Sequence, residues 1–293
     1  MPGENQEKDP EQPEQTAAGS EVEPTEALTN ITTEIGIETA GVLDNANLSD
    51  VIKKIREMID LREMSEKGAS INEIDKFISN VHWEDFSPKD LVKVLKEENY
   101  HVVQQAAAKA LAGKEDPEAT DGLIMALKNK DNDVRSIAIR ALAEREGLEI
   151  TKALIKIALE DKNRNVRCVA IRALAKRKDQ EATDGLIEVA LGHRKELARG
   201  GDWYVQVAAI KALAGREGQD VTDALIATLG DKDPRVRQAA IEALTDIEDP
   251  KVTDALEKAL EDKDTDVQWA ATKALEERGK KKEPKAENLS LFG

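Results

Sequence analysis

The feature that most constrains this chain is a nine-residue pattern, V-x-x-x-A-x-x-A-L, that occurs six times. It reads VQQAAAKAL from Val103, VRSIAIRAL from Val134, VRCVAIRAL from Val166, VQVAAIKAL from Val205, VRQAAIEAL from Val236 and VQWAATKAL from Val267. The steps between the valines are 31, 32, 39, 31 and 31 residues. A repeat of that length is one supersecondary unit that cannot bury its apolar face alone, so such units stack in a row. Upstream of each pattern lies a second segment, such as TDGLIMAL from Thr120 or TDALIATL from Thr222. Its Leu, Ile and Ala recur at the spacing of one helix face. Each unit is therefore expected to be two antiparallel helices, A and then B. The expected pairs are 88–97 and 100–113, 119–129 and 132–145, 150–160 and 164–177, 182–192 and 202–215, 221–230 and 234–247, and 252–261 and 265–278.

Local signals agree with that register. Asp131, Asn163, Asp202, Asp233 and Asp264 each stand three residues before a repeat valine. That is the N-cap position of helix B, where a short oxygen acceptor satisfies an orphan N–H. Asp116-Pro117 and Asp249-Pro250 mark A-helix starts in the same way. Gly122 and Gly185 occupy the slot that Ala153, Ala224 and Ala255 fill in other repeats. Glycine costs about 1 kcal/mol in a helix interior, so packing must require smallness there.

Composition narrows the class further. Aromatics are 3% and charged residues 35% of the 293 residues, which suits helices and argues against a sandwich or barrel. No run of 18 apolar residues is present, so no membrane span is expected, and the opening MPGENQEKDP has no apolar signal core, which reads as a cytoplasmic chain. A single cysteine, Cys168, excludes an internal disulfide or a cysteine zinc cluster, and its expected role is structural. With three histidines and no phosphate-loop, dinucleotide or nucleophile motif, no catalytic residue, metal or cofactor is expected.

The net charge of −16 is unevenly spread. Residues 1–47 carry 11 acids against one lysine and show no sustained apolar period, the composition of a disordered acidic tail. Residues 48–85, with an amphipathic LSDVIKKIREMIDLREM and a second apolar-faced SINEIDKFISNV, read as an N-terminal helical cap. Residues 86–278 form the repeat region, and 279–293 a flexible basic tail ending in Asn-Leu-Ser-Leu-Phe-Gly.

The D-x-D-P-x-V-R-x-x-A-x-x-A-L stretch from Asp231 to Leu244 and the A-T-D-G-L-I motif at Ala119 and Ala182 resemble the HEAT-repeat family. The likeness is strongest to its short-unit, phycocyanobilin-lyase-like branch and covers residues 86–278. It implies an all-α, right-handed α-solenoid of about six HEAT-like hairpins with the B helices lining the inner face. It is nearly silent on activity, since the family includes scaffolds, adaptors, bilin lyases and a few enzymes. The resemblance also implies that Arg135, Arg167 and Arg237, each following its valine, pair with a helix-start aspartate. HEAT-repeat deoxyhypusine hydroxylases carry His-Glu pairs on successive repeats. Here His82, His101 and His193 are followed by Trp83, Val102 and Arg194, so that metal chemistry is excluded.

Three groups of residues are candidates for binding. Six residues past each valine stand Lys109, Arg140, Arg172, Lys211, Glu242 and Lys273, five of them basic, which a row of B helices would align into a stripe. The 14-residue step from Leu191 to Val205 is seven in four other repeats, and the extra residues place His193, Arg194, Lys195 and Arg199 beside Trp203. Insertions in repeat proteins map to loops on one face, often the binding face. Leu289, Leu291 and Phe292 form a terminal apolar motif of docking type, loosely similar to clamp-binding peptides.

The stripe predicts an acidic partner, a protein or peptide, for a non-catalytic scaffold or adaptor, with the chain's own acidic tail as a competitor. Alternatives are a nucleic-acid-binding HEAT protein or sliding-clamp-associated factor, and a bilin-lyase-like chromophore or enzyme maturation factor. Base excision of the HEAT-like alkylpurine DNA glycosylase type lacks an assignable catalytic acid.

Overall fold

Capping chemistry sets where most of the helices begin. The computed structural model describes residues 47–64, 71–192 and 203–282, and the regular elements among them are all helical. The chain divides into two units, residues 1–77 and 78–293. In the first, α1 (Leu48–Met64) follows Asn47, whose side-chain oxygen accepts the Asp50 N–H at 3.1 Å. Its Val51, Ile52 and Ile55 are buried. α2 (Ile71–Asn80) spans the boundary.

The second unit opens with a short turn, Trp83–Asp85, packed on the first B helix. The Trp83 indole N–H donates to the Ile78 carbonyl at 2.8 Å, and the ring meets Phe86 edge-on. Six hairpins follow: α3 (Pro88–Glu97) with α4 (His101–Ala112), α5 (Pro117–Ala126) with α6 (Asn132–Ala143), α7 (Leu148–Glu160) with α8 (Arg164–Lys176), α9 (Gln180–Ala190) with α10 (Trp203–Leu213), α11 (Gln219–Thr228) with α12 (Pro234–Leu244), and α13 (Pro250–Ala259) with α14 (Thr265–Lys282).

The B-helix caps stand where expected. Asp131 accepts from the Asp133 and Val134 N–H groups, Asn163 from Asn165 and Val166, Asp233 from Arg235, and Asp264 from Asp266 and Val267. Asp202 lies outside the described residues. The A helices after the first begin two residues earlier than the apolar period suggests. An apolar period starts where the buried face starts, whereas the cap lies one turn upstream. Asp116, Asp179 and Asp249 supply that cap, accepting from Ala119, Ala182 and Lys251. α7 and α11 instead follow Gly147 (φ 140) and Gly218 (φ 134), backbone conformations that residues with a Cβ rarely adopt.

Stacking is serial. Each B helix, from α4 to α14, packs on the next B helix, and the B helices meet more closely than the A helices do. The central alanine of the pattern explains why: Ala107, Ala138, Ala170, Ala209, Ala240 and Ala271 all have 0% exposure. A bare methyl at this contact lets the helix axes pack within the ~8–10 Å range.

The small-residue slot has the opposite location, between A helices. A Cβ on Gly185 would lie 2.4 Å from Ile155 Cγ1, and one on Gly122 would lie 2.5 Å from Val92 Cγ2. Both neighbours are β-branched and stiff. A Gly185→Ala chain is expected to lose about 1–2 kcal/mol, overpacking of ~1–3 kcal/mol outweighing the helix-propensity gain. In an Ile155→Ala background the same change is expected to stabilise. Urea unfolding of the four chains measures both signs.

Candidate functional site

Cationic side chains recur at three positions of the repeat, and at two of them they are held by bonds between repeats. The first sits at the N-terminal ends of the B helices. Arg135 is buried and bidentate to Asp161 of the next repeat, Nε to Oδ2 at 2.6 Å and Nη2 to Oδ1 at 2.8 Å. Its Nη1 donates to the Asn129 and Lys130 carbonyls. Arg237 repeats the geometry on Asp262 at 2.8 and 2.7 Å. In the fourth repeat Gln206 bonds Asp231 at 2.9 Å from the equivalent position. The aspartate is not the cap itself but stands two residues before it. Asp161 and Asp262 also accept the N–H of the capping Asn163 and Asp264.

Arg237 holds the Asp262 carboxyl below its ordinary pKa, chiefly by hydrogen bonding. Its ion pair with Arg235 does the same for Asp233. A carboxylate depressed in the folded state stabilises above its unfolded pKa of ~3.9, and that contribution is lost as pH falls through the folded value. Thermal melts between pH 7 and pH 2.5 are therefore expected to show a shallower acid decline for Asp262→Asn than for the wild type, from a lower starting stability at pH 7.

The second row was not recognised from sequence. Eleven residues past their valines, Arg145, Arg177, Arg216 and Arg278 reach back to the previous repeat. Arg145 donates to the Leu111 carbonyl at 3.0 Å and to Thr120 Oγ1. Arg216 donates to the Leu174 and Arg177 carbonyls at 2.9 and 2.7 Å and to Thr183 at 2.6 Å. Arg278 reaches the Leu244, Thr245 and Ile247 carbonyls and Thr253. Arg177 bonds Thr151, the Arg145 carbonyl and Gly147. These guanidinium groups add a further donor to carbonyls near the C-terminal ends of the preceding B helices, where Leu111, Leu174 and Leu244 each also accept one backbone N–H, and so tie one repeat to the next. The threonine in the first turn of each A helix, Thr120, Thr151, Thr183 or Thr253, supplies the acceptor hydroxyl. Both arginine rows are structural.

The third row is the predicted stripe. Lys109, Arg140, Arg172, Lys211 and Lys273 are exposed on α4, α6, α8, α10 and α14, and Glu242 is exposed on α12. Lys109, Arg140, Arg172 and Lys211 form no ion pair or side-chain hydrogen bond among the described residues. Lys273 pairs with Glu277 at 3.8 Å and lies 5.6 Å from the Trp269 ring centroid. Glu242 accepts from Gln238 at 3.3 Å.

Trp203 has an internal partner. The Arg235 guanidinium of the next repeat sits 3.8 Å from its ring centroid, held there by two hydrogen bonds to Asp233, and Tyr204 meets it edge-on. Arg164 lies over Tyr204 at 5.7 Å. One face of Trp203 is thus covered. His193, Arg194, Lys195 and Arg199 lie outside the described residues, as do Leu289, Leu291 and Phe292. Cys168 is buried in α8. Among the described residues no three His, Cys, Asp or Glu side chains converge as a metal site, and no helix is long and apolar enough to cross a membrane.

Among solved structures, the chain is similar to the CpcE–CpcF complex of phycocyanin lyase from Nostoc sp. PCC7120, at 22% identity over 65% of this chain and 76% of that one, TM-score 0.40. It is similar to human deoxyhypusine hydroxylase at 19% identity over 87% and 98%, TM-score 0.38. A designed armadillo repeat protein in complex with a (KR)4 peptide matches at 19% identity over 65% and 98%, TM-score 0.40. No curated protein matches the sequence. The model of the HEAT repeats matches residues 88–151 and 193–276, just over half of the 293 residues and all within the six-hairpin unit. Hairpins of this period, stacked B on B, locked by arginine–aspartate pairs and matched by that family model, place the chain in the HEAT-repeat family.

Proposed function

We propose that this HEAT-repeat chain is a non-catalytic scaffold that holds an acidic protein segment along its row of B helices. The observation carrying this is the contrast between arginines that are used and cations that are not. Arg135, Arg145, Arg177, Arg216, Arg237 and Arg278 are consumed by inter-repeat bonds, whereas Lys109, Arg140, Arg172 and Lys211 are exposed and, among the described residues, unpaired in four successive repeats. Like charges aligned on one surface raise the local potential and steer an anionic ligand to it.

The test is titration of a labelled ten-residue oligoglutamate peptide at rising salt. The expected result is binding that weakens steeply between 50 and 200 mM salt, because exposed charges are screened over ~10 Å at 0.1 M. Absence of binding at low salt, or tighter binding of duplex DNA than of the peptide, contradicts the reading.

We propose the chain's own acidic segment, residues 1–47, as a competitor for the same surface. Residues 1–47 carry a net −10 and, tethered to the row, reach millimolar effective concentration. Removing residues 1–46, which spares the Asn47 cap, is expected to tighten peptide binding by about tenfold at low salt and to steepen its salt dependence. Unchanged affinity contradicts competition by the tail.

A further inference from the structure

Trp269 is the most exposed large hydrophobic side chain among the described residues, at 63%. It stands two residues past its valine, where the other repeats carry Gln105, Ser136, Cys168, Val207 and Gln238. In the first repeat that position is tied to the next hairpin, Gln105 donating to Asp131 at 3.1 Å. No later hairpin stands beyond α14 among the described residues to cover Trp269. It lies one helical turn before Lys273, the final member of the basic column, on the same helix face. Between this pair and the cations of repeats one to four, unpaired among the described residues, the column is interrupted by Glu242.

We infer that Trp269 is an apolar anchor point, and that the row takes a two-part ligand: an acidic run over repeats one to four and an apolar side chain over repeat six. This rests on the basic-column reading and specifies its partner. Charge complementarity commits the occupant to an acidic protein segment. A ligand acid over Glu242 meets a like charge, so the ligand is neutral there, and Lys273 beside Trp269 is already paired with Glu277 at 3.8 Å, so what repeat six offers is the apolar ring. Trp is enriched among residues that dominate interfaces, because a large rigid ring buries much area at small entropic cost.

Helix spacing gives the ligand its dimensions. Adjacent helix axes lie ~8–10 Å apart. Lys109 to Lys211 spans three steps, about 30 Å, which an extended chain crosses in roughly nine residues at ~3.3 Å each. Lys211 to Trp269 spans two steps, about 20 Å or roughly six residues. The ligand is therefore an acidic stretch of nine or ten residues, a neutral spacer of about six, and a Leu or Phe.

The test uses the full chain and labelled synthetic peptides. One carries ten residues with Glu at every third position, a six-residue Gly/Ser spacer and a terminal Phe. A second replaces Phe with Ser, and each is made in both chain directions. Both peptides are expected to bind, with the Phe peptide about tenfold tighter in one direction. That gain disappears in Trp269→Ala and survives in Trp269→Phe, while affinity for the Ser peptide stays unchanged in both. Equal affinity of the two peptides, or a gain that persists in Trp269→Ala, overturns the anchor while leaving the basic column standing. Failure of both peptides to bind overturns the column and the anchor together. If Leu289→Ser, Leu291→Ser and Phe292→Ser combined shift Trp269 emission to the red without peptide, the chain's own end occupies the site, and the inference is also overturned.

Discussion

An Arg135→Ala chain is expected to be about 3–5 kcal/mol less stable than the wild type, the loss typical of removing one partner of a buried ion pair. Arg135 and Asp161 side chains are each 4% exposed. Truncating the arginine leaves the Asp161 carboxylate without its counter-charge and frees the Asn129 and Lys130 carbonyls as well. The pair joins repeat two to repeat three, and in a stacked array stability is a sum of repeat terms and nearest-neighbour interfaces. Loss of one interface is therefore expected to split a single unfolding transition into two. Replacing both partners by apolar residues, Arg135→Met with Asp161→Leu, is expected to recover most of the loss, since desolvating a buried pair costs nearly as much as its attraction returns. Calorimetry of the three chains reads both the magnitude and the splitting. A loss under 1 kcal/mol with one sharp transition would show the pair to be solvated.

Reversing the column has the largest expected effect on binding. Lys109→Glu, Arg140→Glu, Arg172→Glu and Lys211→Glu together are expected to weaken an acidic peptide by at least about a hundredfold at low salt. Each exposed ion pair contributes ~0.2–1 kcal/mol, and reversal adds repulsion of similar size. Four sites then remove ~2–8 kcal/mol, a range whose middle exceeds the ~3 kcal/mol of a hundredfold loss, since ~1.4 kcal/mol is tenfold. Stability should move little, because none of the four side chains makes an ion pair or side-chain hydrogen bond among the described residues. The opposite change, Glu242→Lys, extends the column and is expected to tighten binding a few-fold. Fluorescence anisotropy at 50 mM salt, with circular dichroism as the fold control, measures both.

The fold was legible because its signals are local and repeated. A cap three residues before a valine, proline at the first helical position and a glycine where others carry alanine each state their physical reason within one turn. The two arginine rows behave differently. Arg135 and Asp161 lie 26 residues apart, and spacing alone does not say which of several aspartates a guanidinium meets. The role of Arg145, Arg177, Arg216 and Arg278 becomes visible only when the repeats are aligned on their valines. Read singly, Arg177 looks like a cation placed to suit the end of α8, whereas it bonds the preceding repeat. Trp203 likewise reads as an open stacking surface until Arg235, 32 residues on, is found against its ring. The exposure of Lys109, Arg140, Arg172 and Lys211 was legible for the converse reason. They need no tertiary partner, so position on the helix face suffices to place them.

The central claim is that the hairpins stack in one line, so that the basic positions form a single column. Spin labels on cysteines introduced at position pairs 109 with 172 and 109 with 211, in a Cys168→Ser background, test it most directly by pulsed dipolar spectroscopy. With ~8–10 Å per helix step, the expected separations are about 20 Å and about 30 Å, each pair giving one narrow distribution. Separations that fail to grow from the first pair to the second, or that scatter broadly, would contradict the alignment and remove the surface on which the acidic ligand is placed.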